Sequence, residues 1–239
     1  MLPLAGLLAQ VPWGELAGQL GRPEVAGALR ISAIASVGAV LLSLLFGVPL
    51  ALVLARAEFP GKALVRALTT LPMVLPPVVG GISLLLAFGR RGLVGVWLDR
   101  WFGVSLPFTT FATVLAATFV SMPFFVLTVE AGLRAMDQRL EEAAATLGAS
   151  RWTTLVRVTL PQVAPSLGAG AALCWVRALG EFGATITFAG NLPGTTQTLP
   201  LAAYLALESR LEGAIVLSLV LLVCSLLVLV LLRDRWFPT

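Results

Sequence analysis

The chain has 239 residues, of which 58% are hydrophobic and 12% charged, with a mean hydropathy of +0.96. Soluble domains carry about 25% charged residues, so an ordinary soluble domain is excluded. Histidine is absent, which removes the commonest metal ligand and a usual general base, and the net charge of +4 is read as membrane orientation and not as nucleic-acid binding. The two cysteines, Cys174 and Cys224, lie far apart in apolar stretches and give neither a metal spacing nor a disulfide framework.

Residues 1–24 form an N-terminal segment whose Leu4, Leu7, Leu8 and Val11 recur at helical spacing. It reads as a helix lying in the membrane interface, with a truncated sixth span as the alternative. Arg22-Pro23-Glu24 opens the first membrane helix, with proline placed where its missing N–H costs nothing. Uncharged runs then mark the crossings: 25 residues over 31–55, 23 over 67–89, 29 over 101–129 and 20 over 213–232. Each is long enough to cross a hydrocarbon core about 30 Å thick as a helix. A further crossing over 166–188 is interrupted by Arg177 and Glu181. The expected architecture is therefore an all-α integral membrane domain over 25–235. Its five spans fall at about 31–55, 67–89, 106–129, 166–188 and 213–232, with a polar loop at 136–161.

Five spans place the termini on opposite sides. One set of polar segments holds Arg56, Lys62, Arg66, Arg134, Arg139, Arg151, Arg157, Arg233 and Arg235; the other holds Arg22, Arg30, Arg90, Arg91, Arg100 and Arg210. The positive-inside rule puts the larger set in the cytoplasm, the N-terminus outside and the C-terminus inside.

The second span carries Pro72, Pro76 and Pro77. Each removes a backbone donor, so the helix must kink or unwind. Irregular backbone at membrane depth survives only where protein or a water-filled cavity covers it, which favours a pathway or gate element over a plain kink. Gly80 and Gly81 allow close helix packing.

The 136–161 loop is rich in helix formers up to Thr146. Asp137 is the expected N-cap, Gly148 the left-handed residue that stops the helix, and Ser150 the cap of a second short helix that Pro161 ends. The result is a rigid elbow.

In the fourth span Arg177 and Glu181 share a face at i, i+4 spacing and pair. A structural ion pair near the cytoplasmic gate is favoured over direct contact with a passing anion, because Glu181 cancels the charge. Phe182 and Gly183 complete the list of pathway or gate candidates. Gly168, Gly170, Gly180 and Gly183 make the span slim, as at a helix interface across a dimer axis. The segment 190–200 reads as an external turn and loop.

No nucleotide site is present in P-loop form. The only lysine, Lys62, is followed by Ala63 where Ser or Thr is required, and Arg56 stands where the first glycine belongs. An intramembrane enzyme would need clustered reactive groups that are missing, and an ATP-independent carrier usually shows a charged relay over several spans.

Glu142-Ala143-Ala144, three residues, Gly148, nine residues, Val158, one residue, Leu160-Pro161 resembles the EAA loop of ABC importer permeases, E-A-A-x3-G-x9-I-x-L-P. Six of the seven fixed positions match, Val158 standing for isoleucine. The stretches 59–63, 71–80, 89–92 and 180–188 look like the molybdate permease subfamily. Sulfate and thiosulfate permeases share the loop, and tungstate permeases handle a nearly identical anion. The resemblance implies the type I importer permease fold and a multi-pass protein of the bacterial inner membrane. It implies a homodimer in the lipid bilayer, a pair of ATPase subunits docked on Glu142, Ala143, Ala144, Gly148, Leu160 and Pro161, and an extracytoplasmic molybdate-binding protein. It implies no cofactor in this chain, ATP and Mg being bound by the partner.

Overall fold

A computed structural model of the chain describes residues 2–236. Two short helices, α1 (Leu2–Ala9) and α2 (Leu16–Leu20), precede a 34-residue helix α3 (Pro23–Arg56). Pro23 occupies the first turn of α3, as the sequence suggests. Farther along, Pro49 cannot donate to the carbonyl four residues back, and the helix widens just before it into a π-turn at Ser43–Gly47.

The proline-rich second run is not one straight helix. It is α4 (Lys62–Val74) and α5 (Pro77–Phe88), bent by 119°. A residue before proline is pushed out of the helical region. Here Leu75 precedes Pro76 and Pro76 precedes Pro77, and both are extended, with ψ of 136° and 131°.

After α6 (Gly95–Phe102) comes α7 (Thr110–Ala135), opened by the Thr109 side chain, which accepts from the Ala112 N–H. The elbow follows as α8 (Arg139–Thr146) and α9 (Arg151–Thr154), then a π-turn Leu155–Thr159 and one turn Leu160–Gln162. Helices α10 (Ala164–Leu179), α11 (Gly183–Phe188), α12 (Leu199–Ser209) and α13 (Leu211–Trp236) complete the chain.

Helix α7 is the axis of the fold. Its apolar window is 67% buried, against 28% for α3 and for α13. Phe125, Val126, Val129 and Leu133 of α7 pack with Ala51 and Leu54 of α3 and Cys174 of α10. Nearer its start, Ala112, Ala116 and Val120 pack with Leu84 of α5 and Ala184 and Phe188 of α11. The outward faces of α4 and α5 are apolar and exposed, through Leu64, Leu68, Val74, Val78 and Leu86.

Among the described residues, three helices are long and apolar enough to span a membrane, or four where the bent α4–α5 pair is taken as one span. The difference from five lies in the 166–188 run. Helix α10 has 16 residues, about 24 Å of rise, short of the hydrocarbon core. It stops at Gly180, and the backbone turns before α11 begins.

Several local expectations also shift. The third span begins at Thr110 and the last at Leu211. Pro161 does not end a helix: it sits in the first turn of Leu160–Gln162, because the π-turn before it absorbs the missing hydrogen bond. Gln138 precedes α8 in place of Asp137, whose carboxylate instead accepts from the Arg139 N–H. The 190–200 segment turns at Gly190 and Gly194, both with positive φ, but Thr196, Gln197 and Thr198 are buried. Gly170 of the slim α10 packs within its own chain, where a methyl would stand 3.2 Å from Phe125. Met1 of the N-terminal segment lies outside the described residues, as do the side chains of Arg233 and Arg235.

Candidate coupling elbow and pathway

The elbow is shaped by two local devices. Gly148 has φ of 81°, a conformation that costs a residue with a Cβ about 1 kcal/mol or more. Ser150 then caps α9, its hydroxyl accepting from the Thr153 N–H at 3.1 Å. Glu142 and Ala143 are exposed, Ala144 and Leu160 are half-buried, and Pro161 is exposed. Leu147 and Trp152 are 88% and 72% exposed and flank the corner. The elbow therefore offers a carboxylate, small residues and two large apolar side chains on one protruding corner.

Behind the elbow, charges converge from four elements. Glu141 of α8 places Oε2 3.2 Å from Arg56 Nη2 at the end of α3, and its Oε1 accepts from the Thr159 hydroxyl at 2.7 Å. Glu130, buried near the end of α7, pairs through one oxygen with both Arg66 of α4 and Arg134. Arg134 also donates to the Leu54 carbonyl at 2.9 Å. Burial of a carboxylate is tolerable only with such partners. Arg66 and Arg134, on one side by charge count, share Glu130, and Arg134 also reaches the end of α3, where Arg56 lies. Arg22 and Arg210 of the opposite set together line a cavity of about 420 Å³ elsewhere.

The two broken runs meet at their breaks. A methyl on Gly183 would stand 2.6 Å from Pro77 Cβ, and one on Gly81 would stand 2.6 Å from Thr187 Cβ and 2.8 Å from the Ala184 carbonyl. Glu181 is buried in the gap between α10 and α11. Its Oε2 lies 2.9 Å from Arg177 Nη1, and its Oε1 accepts from the Ala184 N–H at 2.8 Å. One carboxylate thus joins the end of α10 to the start of α11. The Phe182 ring packs on Tyr204 of α12 at 5.3 Å between centroids. Pro76, Pro77, Glu181, Phe182 and Gly183 gather around the junction of the two breaks; Pro72 lies farther back, inside α4.

Sequence reading passed over Glu130, Glu141, Thr159 and Tyr204. The i, i+4 spacing of Glu130 and Arg134 was a legible signal. Arg66 is 64 residues from Glu130 and Thr159 is 18 from Glu141, and no local spacing marks such pairs.

Comparison with known proteins places this architecture. Residues 47–237 match the family described as "Binding-protein-dependent transport system inner membrane component". The chain belongs to this family. The permease is 44% identical over 227 residues to the "Molybdenum transport system permease protein ModB" of Mycobacterium bovis, covering 95% of this chain and 86% of that one. It is 44% identical over 205 residues to the protein of the same name from Escherichia coli K12, covering 84% and 88%. The "Sulfate transport system permease protein CysT" of Escherichia coli K12 is 37% identical over 233 residues, covering 96% and 84%. In fold, the permease resembles a bacterial alginate ABC transporter solved in complex with an alginate-bound periplasmic protein. The TM-score is 0.73 at 18% identity, covering 96% of this chain and 85% of that one. The MetNI methionine ABC transporter in an inward-facing form gives a TM-score of 0.61 at 17% identity, covering 98% and 99%. The fold is that of type I ABC importer permeases, and the permease is a multi-pass protein of the cytoplasmic membrane.

Proposed function

We propose that this permease is the membrane subunit of an ATP-driven importer that carries molybdate into the cytoplasm. It works as a homodimer, takes the anion from an extracytoplasmic binding protein, and couples through 136–161 to a separate pair of ATPase subunits that bind ATP and Mg. The observation that carries this reading is the protruding elbow, with Glu142 and Ala143 exposed beside Leu147 and Trp152 and its angle set by Gly148. A short helix with small residues and apolar anchors suits a groove on a partner. Two relatives named for molybdenum are 44% identical, against 37% for the sulfate permease, which supports molybdate as the cargo.

In this reading ATP binding draws the two ATPases together and the elbows move with them. The junction at Pro76-Pro77 and Gly183 is the element that changes between outward- and inward-open states. ATP shifts the balance only by differential affinity for the two states. Arg177 is neutralised by Glu181, so the pair holds the junction and does not bind the anion.

The test is labelled molybdate uptake in cells lacking their own permease, with the chain expressed beside its ATPase and binding protein. Uptake blocked by tungstate but not by sulfate, and lost in Glu142→Ala, is expected. Blocking by sulfate assigns the chain to the sulfate/thiosulfate branch, and uptake without the ATPase overturns the ATP-driven mechanism.

A further inference from the structure

Elbow helix α8 has no buried residue and joins none of the apolar clusters. Packing therefore does not hold it to the membrane body. Among the described residues, the side-chain bonds that leave α8 for the rest of the chain both come from Glu141: to Arg56 and to Thr159. The other side-chain bonds of α8, Arg139 N–H to Asp137 and Thr146 to the Ala143 carbonyl, are local.

Arg56 is the last residue of α3, and two residues earlier the Leu54 carbonyl accepts from Arg134. Arg134 shares Glu130 with Arg66, on the second turn of α4. A continuous set of polar links thus runs from the elbow to α3, to α7 and to α4, the half-span that leads to the Pro76–Pro77 break. The Arg56–Glu141 pair is about three-quarters buried on both sides, but the Nη2 and Nε of Arg56 make no aligned hydrogen bond. It borders a cavity of about 670 Å³ between α3 and the elbow, lined also by Val53, Ala149, Arg151 and Leu155. An ion pair beside open space keeps its attraction as the elbow shifts, where a tightly aligned hydrogen bond would break.

We infer that Glu141 is the positioning residue that transmits elbow movement into the membrane body, with Arg56 as its receiver and Thr159 as its second tether. This rests on the reading of the elbow as the ATPase-docking element. Glu142 faces outward for the partner, whereas its neighbour Glu141 faces inward and pulls on α3. Contiguous links show where force can pass; energetic coupling requires a functional cycle of variants.

The experiment uses the full complex of permease, ATPase and binding protein in proteoliposomes, with labelled molybdate or sulfate uptake and ATP hydrolysis read on the same sample. Arg56→Glu and Glu141→Arg are each expected to lower anion moved per ATP hydrolysed about fivefold, with ATPase co-purification unchanged. The double exchange Arg56→Glu/Glu141→Arg is expected to recover most of that loss. Where a charge-reversed chain does not assemble, Glu141→Gln and Thr159→Val carry the test, and each should lower the same ratio. Unchanged ratios in the single variants, or a double exchange no better than the poorer single one, overturn the inference. A wild-type complex that moves neither anion in response to ATP overturns the importer reading instead, so the two failures are distinguishable.

Discussion

Pro77 and Gly183 face each other so closely that a methyl on the glycine would stand 2.6 Å from the proline Cβ. The first residue of α5 is thereby seated against the first residue of α11. Each half-helix starts where its own span breaks, so each break is covered by the other. Freed backbone groups at membrane depth require such cover.

Gly183→Ala is expected to destabilise the protein by about 1–3 kcal/mol through overpacking. Gly180→Ala is the control, because a methyl there meets nothing nearer than 3.8 Å. Thermal unfolding in detergent checks the contrast. Equal midpoints for the two variants would show that the junction is looser than described.

Glu130→Ala leaves Arg66 and Arg134 without their shared carboxylate. Both arginines are more than one-third exposed, so the loss is well below that of a fully buried pair, about 1–2 kcal/mol. Glu130→Gln should lose less, since an amide oxygen still accepts. The check is the fraction of monodisperse protein after heating, compared across the three chains.

Arg177 and Glu181 separate two roles by kinetics. With a structural pair, the double variant Arg177→Met/Glu181→Gln keeps the KM for molybdate uptake within about twofold and lowers only kcat. The Gln oxygen still accepts from the Ala184 N–H. A KM raised about tenfold or more by Arg177→Met would place the guanidinium on the anion's route.

Trp152→Ala and Leu147→Ser should weaken ATPase association about tenfold or more, as apolar anchors at an interface do. Gly148→Ala should weaken it too, by opposing the left-handed turn. The amount of ATPase retained on the purified permease measures all three. Retention at the wild-type level in every variant would mean that the docking surface lies elsewhere.

The parts legible in the sequence were those written in local spacing. Arg177 and Glu181 pair because four residues separate them on a helix, and Gly148 turns left-handed because a helix had to stop there. Pro76-Pro77 broke the second run for the same kind of reason. Long-range arrangements had no such signature. That Gly183 would seat on Pro77 depends on how α5 and α11 cross. The break at α10 was only half legible: Arg177 and Glu181 mark the 166–188 run as interrupted, but they do not say that the helix stops at Gly180. Pro161 misled in the opposite direction, since the widening that tolerates it leaves no mark in composition.

That widening has a further effect. The turn Leu155–Thr159 holds one residue more than an α-helical turn would. The wider turn takes up that residue locally, so the helix beyond it keeps its phase. Thr159 can therefore face the elbow while Val163 and Cys174, farther on, face the core. The widened turn lets one short stretch serve both the elbow and the core, and deletion of a single residue between 155 and 159 should close the turn and remove the Thr159 tether while the core face of α10 is kept. Such a deletion is expected to leave folded permease in membranes, with less anion moved per ATP hydrolysed than in the wild type.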